Sequence, residues 1–354
     1  MIKILYVWSD QPVEYNCSWH RCHNPAFALR RAGAAVELIH NDEWQQNTAH
    51  AVAVTEPADL IIFQRNVFAN SLGCIIDWVS KGKRIVIDVD DAYHHMDEST
   101  GSPTWKLWRL GRFSRDGKEY TFTPTPLEQL EAGVSLCGKL STPSRVLAAD
   151  WGTLARTYVV PNYLDLNVYQ RRTVLRKEPG KVYIGWAGSM GHARGFKDSG
   201  VIEALRQLGN EHKNIMFATL GENNLERQLK IAPARVLSLP WRPYALYPDF
   251  LAMLDIGLIP LAGEYDRRRS PLKSLEYTAM GLPWVGSDLE PNSEVGTGLL
   301  VQNSPEAWYG ALSGYMATLL ERKYEADLNK TRALGWDINN NVLHLLNTYE
   351  DMAA

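Results

Sequence analysis

The chain has 354 residues, 45% of them hydrophobic, and a formal net charge of −3 at pH 7. Domains usually hold roughly 100–200 residues, so this length predicts two cores, and the near-neutral charge leaves only local patches to attract a polyanion. Four cysteines, Cys17, Cys22, Cys74 and Cys137, show no zinc-like spacing and are too sparse for a disulfide scaffold, which fits a reducing cytoplasm.

The N-terminal IKILYVW stops at Ser9-Asp10, without the apolar length or cleavage site of a signal peptide, and is expected to be a first buried strand. Nowhere do roughly 18 uncharged apolar residues run together, so no transmembrane helix is expected. SWHRCHNPAFALRRAG then puts Ser18, His20, Arg21 and His23 in a loop before the first helix, with Arg30 and Arg31 on a solvated helix face. AVELIH, DLIIFQR, the helical CIIDWVSKG and RIVIDVD continue an alternation of strand and helix that reads as a parallel sheet. Gly33 and Gly82 fall at its helix ends.

RIVIDVDDAYHH sets Asp88, Asp90, Asp91, His94 and His95 at and beyond the C-terminal end of a strand, where open α/β sheets bind ligands. Asp90 and Asp91 are candidate catalytic groups, since a carboxylate there can orient or deprotonate a hydroxyl; turn and cap contacts account for the same residues equally well. TWKLWRLGRFSRDGKEY interleaves Trp105, Trp108 and Phe113 with Lys106, Arg109, Arg112, Arg115 and Lys118 against Asp116. Such a patch suits anionic lipid headgroups or a nucleic-acid backbone, and aromatics packed inward beneath solvated charges have the same composition.

LSTPSRVLAADWG and ARTYVVPNY close this first α/β unit near Pro161-Asn162, and the charged Gln170 to Lys181 stretch reads as a linker. The second half repeats the pattern from VYIGWAG to GLLVQ, followed by helical stretches. Its glycine-rich GWAGSMGHARGFKDSG lets backbone approach a phosphate, and His192 within it is either a phosphate donor or a solvated loop residue.

SPLKSLEYTAMG is punctuated as a helix, with Ser270 as N-cap, Pro271 in the first position and Gly281 past the end. Unpaired N–H groups in its first turn, with Lys273 beside them, suit a diphosphate. Glu276, three residues on, shares the face, and a carboxylate accepts two hydrogen bonds from vicinal ribose hydroxyls. An ordinary surface ion pair has the same spacing.

The strand DIGLIPL, the loop GEYDRRR, this capped helix and the strand GLPWVGSD together resemble the donor-binding core of retaining GT-B glycosyltransferases, the family-4-like group. VVPNYLDLNVY resembles the family's hinge strand, and ADLIIFQR and RIVIDVDD resemble its acceptor domain. The resemblance implies two Rossmann-like α/β domains facing a cleft, residues 1–162 for the acceptor and 163–335 for the nucleotide sugar, with a final helix over 336–354 packing back on the first. It implies transfer of a sugar from a UDP- or GDP-sugar to an acceptor hydroxyl with retention, without a cofactor or an obligatory metal. Although Asp-Val-Asp is similar to the metal motif of the other large glycosyltransferase fold, the two-Rossmann layout argues against that role.

Carried over residue by residue, the resemblance assigns the donor to Gly188, Ser189, His192, Arg194, Lys197, Arg268, Ser270, Lys273 and Glu276. Ser189 stands where the family often has arginine, with Arg194 and Lys197 as the nearby cations. Arg268 stands where a second glutamate is usual, with Glu264 and Asp266 in the same loop; Arg267, Arg268 and Arg269 would then face phosphates. His94 matches a family histidine that contacts the donor sugar and joins Asp90 and Asp91 as a catalytic candidate. Arg21, Trp105 and Arg109 are the candidate contacts to an acceptor glycan, lipid-linked glycan, protein or modified DNA base, with peripheral membrane contact in the lipid case. A nucleotide-sugar epimerase, or a non-catalytic protein that binds glycan or nucleic acid, would keep the same fold.

Overall fold

The structure is a computed structural model that describes residues 2–11, 17–100, 104–170, 177–188, 193–221 and 225–354. In the first half the strands are β1 (Lys3–Trp8), β2 (Ala35–His40), β3 (Leu60–Gln64), β4 (Ile85–Asp88), β5 (Arg112–Arg115), β6 (Lys118–Thr121), β7 (Lys139–Thr142) and β8 (Arg156–Val159). The second half supplies β9 (Val182–Ala187), β10 (Ile215–Leu220), β11 (Val236–Leu239), β12 (Ile256–Ile259), β13 (Trp284–Ser287) and β14 (Leu299–Val301). They form two six-stranded sheets, ordered β2-β1-β3-β4-β7-β8 and β11-β10-β9-β12-β13-β14, plus the β5-β6 hairpin.

The sheets are parallel because helices connect successive strands and cover both faces, and strands buried on both sides are written as continuous apolar runs rather than alternating ones. LIIFQ of β3 and IMFATL of β10 are buried at every position. Strand order reverses between β1 and β3 in one sheet and between β9 and β12 in the other, and open α/β sheets leave a ligand crevice beyond the carboxyl ends at such points.

The chain passes from the first sheet to the second after Val159 and returns with the last helix, Ile338–Ala353, whose Leu345, Tyr349 and Met352 are buried with Ile2, Ile4, Tyr6 and Tyr158 of the first half. Tyr6 Oη donates to Tyr349 Oη at 2.8 Å, and Arg156 pairs with Asp351 at 2.7 Å. Arg31, expected on a solvated face, reaches Asn339 at 2.9 Å and so also ties this helix down. Tyr349→Ala is therefore expected to lower stability by about 3–5 kcal/mol, read from equilibrium denaturation, since it removes a buried aromatic and orphans the Tyr6 hydroxyl.

Two local expectations change. The segment after β1 is not a loop but a π-helical turn, Trp19–His23, that runs straight into the Asn24–Arg31 helix; Ser18 fixes its start by donating to Gln64 Oε1 at 2.7 Å. GEYDRRR likewise begins with a short helix, Gly263–Arg267. YALYPDFLAML divides into a 3-10 turn, Tyr244–Leu246, and a helix, Tyr247–Leu251.

The basic, aromatic segment packs its two tryptophans inward, while Phe113 stays on the exposed hairpin. Trp108 is buried and stacks on Tyr93 at 4.0 Å, Trp105 lies half-buried on the same core, and Phe113 stacks between Tyr120 and Phe122. Lys106, Arg109, Arg112, Arg115 and Lys118 remain on the exposed side. Among the described residues no helix is long and apolar enough to cross a membrane.

Candidate functional site

Two adjoining hollows of about 150 and 160 Å³ lie between the carboxyl ends of the two sheets and share Cys17, His20, Trp241, Leu272 and Lys273. Trp19, Arg242, Tyr244, Tyr247 and Glu276 complete the first. The second is completed by Arg21, Asp90, Asp91, Asn162, Gly188, Arg269 and Ser270.

Lys273 and Glu276 are brought to the cleft by the helix Leu272–Ala279, which ends where Gly281 takes φ +64°. They pair at 3.1 Å, but not on the surface, with side chains 17% and 3% exposed. Tyr247 Oη donates to Glu276 Oε2 at 2.9 Å, and Lys273 Nζ lies 5.2 Å from the centre of the same ring. The carboxylate is thus held rigidly at the hollow's wall.

The N-cap expectation for Ser270 is corrected. Its Oγ accepts from Asn162 Nδ2 at 3.0 Å, and the helix starts one residue later than expected, with no side-chain cap on its first turn. Asn162 lies on the segment that joins the sheets, close enough to compete for the hydroxyl. The first-turn N–H groups beside Ser270 and Lys273 therefore keep their pull on an anion.

Aromatic rings form the wall opposite Glu276. Trp19 and Tyr244 lie 5.0 Å apart and His20 meets the Tyr244 ring edge-on at 5.1 Å. His20 Nδ1 and Arg242 Nε are buried polar atoms with no hydrogen-bond partner among the described residues. Buried polar groups are nearly always paired, so two such atoms in one hollow point to a ligand.

Burial, with Lys273 and Arg21 nearby, pushes the His20 imidazole down to about 3. Below its ordinary pKa of 6.5 the unfolded chain binds a proton that the folded chain refuses, so stability falls as pH drops from 6.5 towards 3. Melting temperature is accordingly expected to fall less between pH 7 and pH 5 in His20→Gln than in the wild type.

In the second hollow Arg21 is more a strut than an acceptor contact. Its Nε and Nη2 donate to Asp88 at 2.9 and 2.6 Å, while Nη1 donates to Val160 O at 2.6 Å and Asn162 Oδ1 at 2.8 Å. It is 4% exposed, which leaves it little to offer an acceptor.

Asp90 receives Arg65 Nη1 at 2.7 and 2.9 Å and Tyr93 Oη at 2.8 Å. Burial would raise its carboxyl, but Arg65 and hydrogen bonds from Cys17, Arg65 and Tyr93 bring it down to about 2, which makes it a weak base. Asp91 differs. It accepts from Tyr265 Oη at 2.5 Å, and burial, against the pull of Arg269, raises its carboxyl.

The remaining candidates lie around these hollows. His94 Nε2 meets Asp150 Oδ2 at 2.8 Å, and burial lowers the pKa of both His94 and His95, with Arg268 adding to the effect at His95. Arg268 does not face a phosphate: it donates to Asp150 Oδ1 at 3.2 Å and Glu264 Oε2 at 2.7 Å, bridging the halves. Arg267 pairs with Glu290. Asp266 is buried, accepting from Ala262 N at 2.8 Å, so it is no substitute for a sugar-binding glutamate.

Arg194 donates to Ser99 Oγ at 2.9 Å and Lys197 is exposed; neither is among the side chains lining the hollows. Their helix, Ala193–Asp198, sits so tightly on the end of β12 that a Cβ on Gly195 would lie 2.1 Å from Pro260 O. Arg109 donates to His94 O, and Trp105 packs on the core beside it. Ser189 and His192 fall outside the described residues.

Sequence reasoning passed over Trp241, Arg242, Tyr244 and Tyr247. The Pro240 and Pro243 that bracket Trp241-Arg242, directly after an apolar strand run, were the available signal of a loop at a strand's carboxyl end.

Residues 181–318 match the family model Glycosyl transferases group 1. The chain is similar in structure to Anabaena HepE in complex with UDP and glucose, at TM-score 0.65 and 15% identity over 98% of this chain and 100% of that one. It is also similar to sucrose-phosphate synthase from Thermosynechococcus elongatus, at TM-score 0.69 and 11% identity over 99% of each chain. A putative UDP-N-acetylglucosamine 2-epimerase from Listeria monocytogenes matches at TM-score 0.58 and 10% identity, over 99% of this chain and 97% of that one. These likenesses show the fold, GT-B with two Rossmann-like units. No curated protein matches the chain in sequence.

Proposed function

We propose that this chain, a glycosyltransferase of GT-B fold whose residues 181–318 match the group 1 family, transfers a sugar from UDP to an acceptor hydroxyl bound on the first half. The observation that carries the reading is the first hollow, where a buried carboxylate, a lysine, an uncapped helix start and two unpaired polar atoms converge within an aromatic wall. Glu276 accepts the ribose hydroxyls, the first turn of Leu272–Ala279 with Lys273 and Arg269 holds the diphosphate, and the base lies against Trp241, Trp19 and Tyr244 beside Arg242.

The sugar then extends into the second hollow towards Asp91, which contacts the acceptor hydroxyl. Stabilising the departing diphosphate is the main catalytic task, and Lys273 and Arg269 supply positive charge there without an obligatory metal. Acceptor attack from the face that the diphosphate leaves gives retention. UDP is favoured over GDP because the similar HepE structures are complexes with UDP, glucose or UDP-glucose.

The test is release of nucleoside diphosphate from a panel of UDP- and GDP-hexoses in the presence of a chelator, with products analysed with and without candidate acceptors. UDP release and a glycosylated acceptor of retained configuration are expected. Recovery of an epimerised donor in the absence of acceptor would establish the epimerase reading instead, and no turnover of any donor would favour a binding protein.

A further inference from the structure

His94 and His95, in the turn after β4, and Asp150, on the helix Arg145–Trp151, each offer one ligand atom within 4.8 Å of the others. The two imidazoles, though adjacent in sequence, lie on the same side with centroids 4.5 Å apart. His94 Nε2 is 2.8 Å from Asp150 Oδ2 as a hydrogen-bonded pair, and the two need part only to roughly 3.3 Å to become neighbouring ligands of a tetrahedral ion. His94 Nδ1 is a further buried atom with no hydrogen-bond partner among the described residues. Two imidazoles and a carboxylate are the donor set of a three-ligand zinc site with an open fourth position, and imidazole favours such borderline ions over magnesium or calcium.

We propose that His94, His95 and Asp150 bind a zinc-class divalent cation in competition with Arg268. Arg268 comes from the other half of the chain and already lies against the same Asp150 carboxylate, where it stands in the place of the cation. A dication and a guanidinium repel each other, so both cannot share these oxygens. Arg268 also accepts from Ser144 Oγ at its carbonyl, 2.9 Å away, so this contact is one of the ties between the two halves of the chain. The cation therefore binds best when the tie is released, and by reciprocity its binding favours release.

The test titrates the full chain, freed of metal by a chelator, with cobalt(II) read by visible absorption and with zinc read by calorimetry. One equivalent of either is expected, with the ligand-field absorption of four-coordinate cobalt. His95→Ala should weaken binding roughly tenfold or more, and Arg268→Gln should strengthen it several-fold. If His95→Ala loses its far-ultraviolet circular dichroism, His95→Gln makes the same comparison. Wild-type protein that takes up no cobalt, a His95 variant that binds as well as the wild type, or an Arg268→Gln protein that binds no more tightly would overturn the proposal.

Discussion

Lys273→Ala is expected to lower kcat/KM for sugar transfer about 10²- to 10³-fold, the range seen when one group that stabilises developing negative charge is removed. The lysine is 17% exposed, stands in the first turn of an uncapped helix and is oriented by Tyr247 and Glu276, so its charge acts where water screens little. Leaving Glu276 without its cation also costs stability, so the rate is to be compared for protein shown to be folded at the assay temperature. A folded Lys273→Ala enzyme within threefold of the wild-type rate would remove this residue from the chemistry.

Arg21→Met is expected to lower the free energy of unfolding by about 3–5 kcal/mol, because it leaves the Asp88 carboxylate buried without its counter-charge. Asp88 is 2% exposed, and besides Arg21 it accepts from Ser141 Oγ at 2.6 Å. The double change Arg21→Met with Asp88→Leu should recover part of the loss, since an apolar pair of similar size has no charge to desolvate. Arg21→Lys should recover little, because a point ammonium cannot make the two-pronged contact. Denaturant unfolding of the four proteins measures this directly, and an Arg21→Met protein as stable as the wild type would contradict it.

That buried pair shows where sequence reading reaches its limit. Runs such as LIIFQ and IMFATL announce parallel strands because apolar content is local, and Lys273 with Glu276 were legible because a helix fixes the spacing of its own residues. Asp90, Asp91 and His94 could be placed at a strand end for the same reason. The partners that decide what these groups do lie far along the chain. Arg21 meets Asp88 across 67 positions and Arg268 meets Asp150 across 118. Neither pairing has a local pattern, so Arg21 read as an acceptor contact and Arg268 as a phosphate ligand. Ser270 had the composition of a cap, and only the nearness of Asn162 in space diverted it.

The most direct test of the nucleotide site is calorimetric titration of uridine diphosphate into the wild-type protein and into Glu276→Ala and Glu276→Gln. The ribose assignment predicts that the wild type binds and that both variants bind roughly tenfold or more weakly, a loss of about 1.4 kcal/mol or greater. Absence of binding by any nucleoside diphosphate, or equal affinity in folded wild-type and Glu276-substituted protein, would contradict it.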